Sequence, residues 1–231
     1  MIVNEVYPGS NSRDIDPGAS TFEEVADWYP PITGLRINYL ISATGTTYAT
    51  SHDITNSIDR YFLKAIRAVS DLIITTGKTA RAENLSASRL APIAILTNSP
   101  DELQIPATQI DSQLPVLIAS QNKLSINYQN TTVMFLQLNS NETAPSVQEI
   151  IDHLASSKTL VETGLIVSAD LVRFGMIQEI CLTVVAAKSL EQAQVAAEAY
   201  KQSLVAICEQ VQILRAETTY FFRFQIVPRT V

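Results

Sequence analysis

The chain is poor in the side chains that most often carry metal or covalent chemistry. It has only two histidines and two cysteines in 231 residues. His52 lies in a polar loop and His153 on the polar side of a predicted helix, with no metal-ligand spacing around either. Cys181 and Cys208 lie in apolar runs, which favours buried free thiols over a disulfide. We therefore predict no metal site.

Several other signatures are missing as well. The chain contains no P-loop, no Gly-x-Ser-x-Gly and no Gly-x-Gly-x-x-Gly pattern. With 17% charged residues and a net charge of -7, broad attraction to nucleic acid or an anionic membrane is not expected. No apolar run approaches the roughly 18 residues of a membrane span, and no secretory signal precedes the chain's first strand. We expect a cytoplasmic protein with neither a nucleic-acid nor a membrane partner.

What the chain does contain is an alternation of strands and helices. Residues 1–19, rich in Gly, Pro, Ser and Asp, predict an irregular N-terminal arm, and 20–231 a single domain. Strands are predicted at 35–42, 71–76, 91–97, 115–120, 132–138, 159–161, 179–185, 211–216 and 220–227. Capping boxes predict helices starting at Thr21, Ser146 and Ser189, the last running to about Cys208. A further helix over 55–69 is predicted to be capped by Thr55, and another ends near Leu171.

This alternation predicts an α/β domain with a mostly parallel sheet, helices on both faces and an antiparallel C-terminal hairpin. In such sheets ligands bind at the carboxyl ends of the strands. The site is therefore expected among four loops, at 42–55, 76–84, 97–101 and 162–168.

Two of these loops could hold a phosphate-bearing ligand. In Gly77–Arg81, glycine permits close backbone approach, Thr79 offers a hydroxyl, and Lys78 and Arg81 can offset phosphate charge. A plain surface turn also explains this stretch. The loop 162–164 precedes a helix, whose N-terminus can bind phosphate, although an ordinary helix start explains it equally well. Arg67 falls on the polar side of its helix, where a solvated arginine is the simpler interpretation.

The order of these pieces resembles the riboflavin-biosynthesis pyrimidine reductases, over about residues 20–228. These enzymes share the dihydrofolate reductase fold and form the C-terminal domain of a bifunctional deaminase-reductase. The resemblance is carried by Asn38-Tyr-Leu-Ile-Ser-Ala-Thr-Gly45, by Ile66-Arg-Ala68 with Asp71 and the loop 77–83, and by Glu162–Leu165 followed by Gln178–Ile180. The Trp-Tyr-Pro-Pro after the helix at 21–29 is similar to stand-alone, actinobacterial-type members.

The resemblance implies an NADPH-dependent reductase that transfers a hydride to C1′ of a phosphoribosylamino-pyrimidine, and it implies a homodimer. Substrate contacts would fall to Asn38, Ser51, Arg67 and Glu162. Cofactor contacts would fall to Leu40, Gly77, Thr79, Glu83, Asn98, Ser99, Thr163, Gly164, Leu165 and Ile166. No catalytic residue is assigned, since hydride chemistry belongs to the cofactor and the protein supplies positioning.

Three departures from the family pattern keep a second hypothesis open. Thr44 replaces an aspartate, and Thr163-Gly164-Leu165 replaces Gly-Gly-Pro, where a β-branched residue is expected to crowd a phosphate. A predicted helix over 188–208 replaces a Gly-rich loop. The alternative is a catalytically impaired homologue that keeps the fold and the dimer.

Overall fold

The structure, a computed structural model, describes residues 1–44, 54–83, 85, 88–103, 114–125 and 132–227. Its strands are β1 Ile2–Tyr7, β2 Ser12–Asp14, β3 Gly34–Ser42, β4 Leu72–Thr76, β5 Ile93–Leu96, β6 Val116–Ser120, β7 Val133–Gln137, β8 Lys158–Glu162, β9 Ile177–Val185, β10 Cys208–Ala216 and β11 Thr219–Ile226. Its α-helices are α1 Ser57–Ala68, α2 Gly77–Ala82, α3 Thr143–Leu154, α4 Leu165–Arg173 and α5 Leu190–Ser203, and short 3₁₀ helices lie at Glu23–Val25 and Pro100–Glu102.

The described strands form one eleven-stranded sheet in the order β2-β1-β10-β11-β9-β3-β8-β4-β5-β6-β7. From β9 to β7 all neighbours run parallel. The strands from β11 to β2 are added antiparallel, beginning with the β10–β11 hairpin. This confirms the predicted fold class, a mostly parallel α/β sheet with an antiparallel C-terminal hairpin.

Helices cover both faces of the sheet, and two apolar cores result. On one face α3, α4 and α5 bury residues such as Val147, Leu171 and Ala196 against β3 and its neighbours. On the other face α1 and α2 bury residues such as Phe62 and Ala80. Strands covered on both sides need apolar residues on both sides, which explains the continuous apolar runs in the sequence. No helix of the described residues is long and apolar enough to span a membrane.

The prediction of an irregular N-terminal arm is wrong. Residues 2–14 contribute β1 and β2, which extend the antiparallel edge of the sheet, with Asn4 opposite Arg215. Val3 and Ile15 are completely buried in the core on the α1 side. β1 and β2 lie at the end of the sheet and expose one face, so polar residues such as Asn4 and Ser12 are tolerated there. The composition of these two strands therefore resembles that of a loop.

Three predicted helix starts are also wrong. Around Thr21 only the 3₁₀ helix Glu23–Val25 forms, without a side-chain cap. α1 is capped by Asn56, whose side chain accepts from the Asp59 amide, while Thr55 donates its hydroxyl to the Asp59 carboxylate. α3 starts at Thr143, ahead of Ser146, because a proline is tolerated in a first helical turn and Pro145 occupies such a position.

The predicted start of α5 is confirmed and its end is wrong. Ser189 accepts a hydrogen bond from the Gln192 amide at 3.2 Å, as a helix cap should. The helix stops at Ser203, and Val205 takes a left-handed φ of 54°. Cys208 begins β10 instead of ending the helix. Both cysteines are free, as the sequence predicts, and Cys181 is buried as expected, whereas Cys208 is only half-buried.

Candidate functional site

Neighbouring strands bring Asn38, Glu162 and Thr75 to one level of the sheet. Ile37 of β3 lies opposite Val161 of β8, so the next residues, Asn38 and Glu162, are neighbours, and Glu162 lies opposite Thr75 of β4. Because alternate residues of a strand share a face, these side chains lie on the α1 side. The register therefore brings together two of the predicted substrate residues.

A third predicted substrate residue, Arg67, completes this group from α1. Its Nε lies 2.8 Å from Glu162 Oε1 and its Nη2 lies 2.5 Å from Glu162 Oε2, a bidentate ion pair. The two side chains are only 23% and 15% exposed. Burial lowers the pKa of the Arg67 guanidinium, but attraction and hydrogen bonding from Glu162 outweigh burial, so its pKa is raised. The interpretation of Arg67 as a solvated arginine is wrong.

The predicted Gly/Thr/Arg loop after β4 is a helix, α2. Thr76 caps it, accepting from the Thr79 amide at 3.3 Å, and the two threonine hydroxyls lie 3.1 Å apart. Gly77 is buried, and a Cβ added to it would lie 2.4 Å from Thr97 Oγ1. Close packing of the ends of β4 and β5 therefore explains this glycine, whether or not a ligand approaches it.

The other predicted cofactor residues of this region cluster around the same strand ends. Glu83 is the C-cap of α2, and its amide donates to the Thr79 carbonyl at 2.9 Å. The Ser99 amide donates to Thr97 Oγ1 at 3.1 Å, and the carbonyl of the exposed Asn98 accepts from Asn122 at 2.5 Å. The fold thus brings these residues to the carboxyl edge of the sheet, as expected for a ligand loop.

Two basic residues of α2 were expected to offset phosphate charge. Arg81 forms an ion pair with Glu102, at 3.5 Å. Lys78 is exposed. A phosphate that used Arg81 would have to compete with this carboxylate.

The helix α4 starts three residues after Glu162, and no side chain of the described residues caps its N-terminus. Its N-cap, Gly164, is exposed, and no atom of the described residues would lie within 4 Å of a Cβ added to it. Ile166, in the first turn, is 83% exposed, whereas Leu165 is half-buried. First-turn amides without an intrahelical acceptor and the helix dipole favour an anion at a helix start.

Thr163 does not occupy this open space. It is 4% exposed, and its hydroxyl lies 3.1 Å from the buried Ser168 hydroxyl. The expectation that its β-branched side chain crowds a phosphate therefore has no support in this side-chain position. Tyr39, which sequence reasoning missed, is hydrogen-bonded to the first residue of this helix. Burial raises the pKa of Tyr39, and a hydrogen bond from the Leu165 backbone opposes that rise.

The carboxyl end of β3 is polar. Leu40 is half-buried and lies opposite Thr183 of β9. The hydroxyls of Ser42 and Thr44 lie 2.7 Å apart. Ser51, the fourth predicted substrate residue, and His52 lie outside the described residues.

A buried carboxylic acid near this strand end has no predicted role. Asp59, in the first turn of α1, is 6% exposed, and Thr55 donates to its Oδ2 at 2.6 Å. Burial raises the pKa of Asp59, while hydrogen bonds from Thr55 and Thr183 oppose the rise. An aspartate early in a helix indicates a favourable dipole interaction, which gives no signal that it is buried.

Sequence reasoning also missed a buried ion cluster beneath the site. Glu179 Oε1 lies 2.6 Å from Arg36 Nε, and its Oε2 lies 2.6 Å from Arg223 Nη2. Arg36 also donates to the carbonyl of Pro30, and Arg223 to that of Trp28. The available signal was a single charged residue inside each of three apolar strands.

The helix that replaces the family's Gly-rich loop is real, and it lies on the face opposite Arg67. α5 packs against β9 and β11, and its Tyr200 stacks on Tyr39 with ring centroids 4.8 Å apart.

Within the described residues no group of three or more His, Cys, Asp and Glu side chains could hold a metal ion. The site offers hydrogen-bond donors and acceptors for positioning a ligand.

Comparison with known proteins gives structural likeness only. No family model and no curated protein matches the chain. A pyrimidine reductase-like protein of Corynebacterium diphtheriae is similar, with a TM-score of 0.59 and 13% identity over 88% of this chain and 95% of that one. The riboflavin biosynthesis reductase Rib7 of Saccharomyces cerevisiae gives a TM-score of 0.63 and 12% identity over 88% of this chain and 98% of that one. The fold is that of the pyrimidine reductases.

A bifunctional enzyme shows the same likeness. The deaminase/5-amino-6-(5-phosphoribosylamino)uracil reductase of Thermotoga maritima gives a TM-score of 0.64 and 12% identity over 88% of this chain. This chain spans only 59% of that enzyme. The resemblance that the motifs predict is therefore confirmed at the level of fold.

Proposed function

We propose that this protein is an NADPH-dependent reductase that resembles 5-amino-6-(5-phosphoribosylamino)uracil reductase and acts on a phosphorylated pyrimidine ribotide. The observation that carries the proposal is the Arg67–Glu162 ion pair, whose Glu162 lies two residues before Gly164, the N-cap of α4. A charged recognition pair beside a phosphate-favouring helix start suits a substrate and a dinucleotide bound side by side. Bound NADPH would supply the hydride for C1′.

The residues present fit the pyrophosphate of such a cofactor at α4. In the part of the chain that the structure describes, nothing lies within 4 Å of a Cβ added to Gly164, and no side chain caps the nine-residue helix that follows. The Ile166 amide would hold the pyrophosphate, and the Leu165 amide would join it by giving up its hydrogen bond to the Tyr39 hydroxyl, with Thr163 supporting the turn from inside. Around α2, Leu40, Gly77, Thr79, Glu83, Asn98 and Ser99 would line the rest of the cofactor site.

On the substrate side, Arg67 and Glu162 would bind and orient the pyrimidine ribotide, with Asn38 beside them on β3 and Ser51 from the following loop. These groups hold a ligand without forming a covalent bond to it, and positioning alone is a large catalytic effect.

We also propose that the protein works in the cytoplasm as a homodimer. The exposed apolar side chains of β1, the strand next to the edge strand β2, are Ile2 at 52% and Val6 at 37%, and they support an interface at this end of the sheet.

A second candidate function is that of a catalytically impaired homologue. One observation favours it: the carboxyl end of β3 presents the hydroxyls of Ser42 and Thr44 where the family has an aspartate. Such a protein would keep the fold and the dimer and bind the cofactor weakly.

A thermal-shift titration with NADPH, repeated with NADH, separates the two candidates. A ligand at 100 times its Kd adds about 2.7 kcal/mol to the free energy of unfolding. The reductase proposal predicts a rise in Tm that saturates with NADPH. No shift at millimolar NADPH would contradict it and favour the impaired homologue. Turnover of the pyrimidine ribotide, followed by loss of NADPH absorbance, then tests the reaction itself.

A further inference from the structure

The two charged groups at the centre of the site are bonded to each other. Both guanidinium-to-carboxylate contacts of Arg67 and Glu162, at 2.8 and 2.5 Å, are short and parallel. The side chains are mostly withdrawn from water. Thr75 donates its hydroxyl to the backbone carbonyl of Glu162, so that hydroxyl is already committed. A ligand that binds to Arg67 must therefore also offer a hydrogen-bond donor to the Glu162 carboxylate.

A free oxyanion can form hydrogen bonds with Arg67 but not with Glu162. It can replace Glu162 on Arg67, but it leaves a partly buried carboxylate without its counter-ion and beside a second negative charge. Removing one partner of a withdrawn ion pair is strongly unfavourable, and like-charge contacts are a common way to reject wrong ligands. Glu162 thus works against simple phosphate binding at Arg67.

A neutral group with a carbonyl next to an N–H satisfies both partners. Its carbonyl accepts from Arg67 and its N–H donates to Glu162, so each charged group exchanges one charge-assisted contact for another. The edge of a pyrimidinedione ring carries this pair of atoms. We propose that Glu162 is a specificity-determining residue that masks Arg67 from free oxyanions and reserves the pair for the ring edge of the substrate. The inference rests on the proposed function only in placing the substrate at this pair.

The test compares two probes by isothermal titration calorimetry without cofactor. Inorganic phosphate offers acceptors only, and 5,6-diaminouracil offers the donor–acceptor edge. In Glu162→Gln the phosphate affinity should rise about tenfold, because Arg67 loses its anionic competitor, and the diaminouracil affinity should fall about tenfold, because a charged acceptor becomes neutral. Equal phosphate affinity in both proteins, or changes of the same sign for both probes, would overturn the proposal.

Two controls assign the effect to Arg67. Asp27→Asn makes the same change in net charge and releases Arg13 from a bidentate pair on the N-terminal segment. It should gain little phosphate affinity, and a gain equal to that of Glu162→Gln would overturn the proposal. Adding Arg67→Met to Glu162→Gln should abolish the gain, and persistence of the gain would also overturn it.

Folding and the reductase proposal are checked separately. Circular dichroism and Tm establish that each variant is folded, and Glu162→Met, of similar length and no charge, replaces the glutamine variant if that one unfolds. NADPH binding by the wild-type protein takes no part in this measurement. The mask on Arg67 can therefore be confirmed even if the thermal-shift titration contradicts the reductase proposal, and the reverse also holds.

Discussion

Arg36 and Glu179 lie opposite each other on the parallel strands β3 and β9 and form an ion pair of 2.6 Å. Their side chains are only 3% and 6% exposed. Arg223 shares the same carboxylate from β11, so two guanidinium groups share one negative charge, and the contacts join three strands.

We expect Glu179→Gln to be strongly destabilising, because it leaves two buried arginines without a counter-ion. Removing one partner of a buried pair costs about 3–5 kcal/mol in the free energy of unfolding. Urea denaturation at pH 7 measures the loss. The control is Glu198→Gln, which breaks an exposed pair with Lys201 and should cost no more than about 1 kcal/mol. Similar losses in the two variants would contradict this account of the cluster.

Two glycines at the carboxyl edge should differ in how much stability they lose on the same substitution. Gly77→Ala places a methyl group 2.4 Å from Thr97 Oγ1 and 2.7 Å from its Cβ, and overpacking of this kind costs about 1–3 kcal/mol. Gly164→Ala enters open space and should change stability by less than about 0.5 kcal/mol. Thermal denaturation of both variants checks this, and a harmless Gly77→Ala would show that the strand ends can separate.

A negative charge at the start of α4 should separate the stability of the helix from cofactor binding. Gly164→Asp should stabilise the folded protein by about 0.3–1 kcal/mol, because the anion faces the helix dipole. The same charge would repel the NADPH pyrophosphate and weaken binding. Gly164→Asn has the same shape without the charge and serves as the control. Unchanged NADPH affinity in the aspartate variant would show that the pyrophosphate does not bind at this helix.

Asp59 should make the stability of the protein depend on pH. Burial raises its pKa above the ordinary value of 3.8, so the folded state binds this proton more tightly than the unfolded state. Its contribution to stability is then fully present below 3.8 and is lost as the pH rises through the folded pKa. Asparagine does not ionise, so Asp59→Asn removes the loss of stability that follows from ionisation of Asp59 at higher pH. The Tm of the variant should therefore rise relative to the wild type as the pH is raised, and a difference independent of pH would contradict the buried acid.

Much of the fold could be predicted because its signals are local. Runs such as 35–42 and 179–185 are apolar on both faces, and only a strand between two helical layers requires that. The predictions failed where the same local sequence pattern is compatible with more than one structure. Polar β1 and β2 resembled a loop, and the short helix α2 resembled a turn because its glycine serves strand packing and not a turn.

For the candidate site, the residue types could be predicted but not their partners. The motif similarity selected Arg67 and Glu162 separately, each as a contact for a ligand. Their bond to each other joins residues that are distant in the chain, and it depends on how α1 lies across β8. The same is true of Asp59, whose hydrogen bond from Thr183 of β9 joins residues that are distant in the chain.

The sequence by itself determined the order of strands and helices from β3 to β11, except α2, and the loops at which a ligand is expected, because hydrophobic periodicity acts through neighbouring residues. Only the tertiary structure decided which charges meet. It paired Arg67 with Glu162 and buried Arg36 and Arg223 against Glu179. The physical reason is that an ion pair between distant residues is chosen by strand register and helix packing, which bring together groups that no local pattern connects.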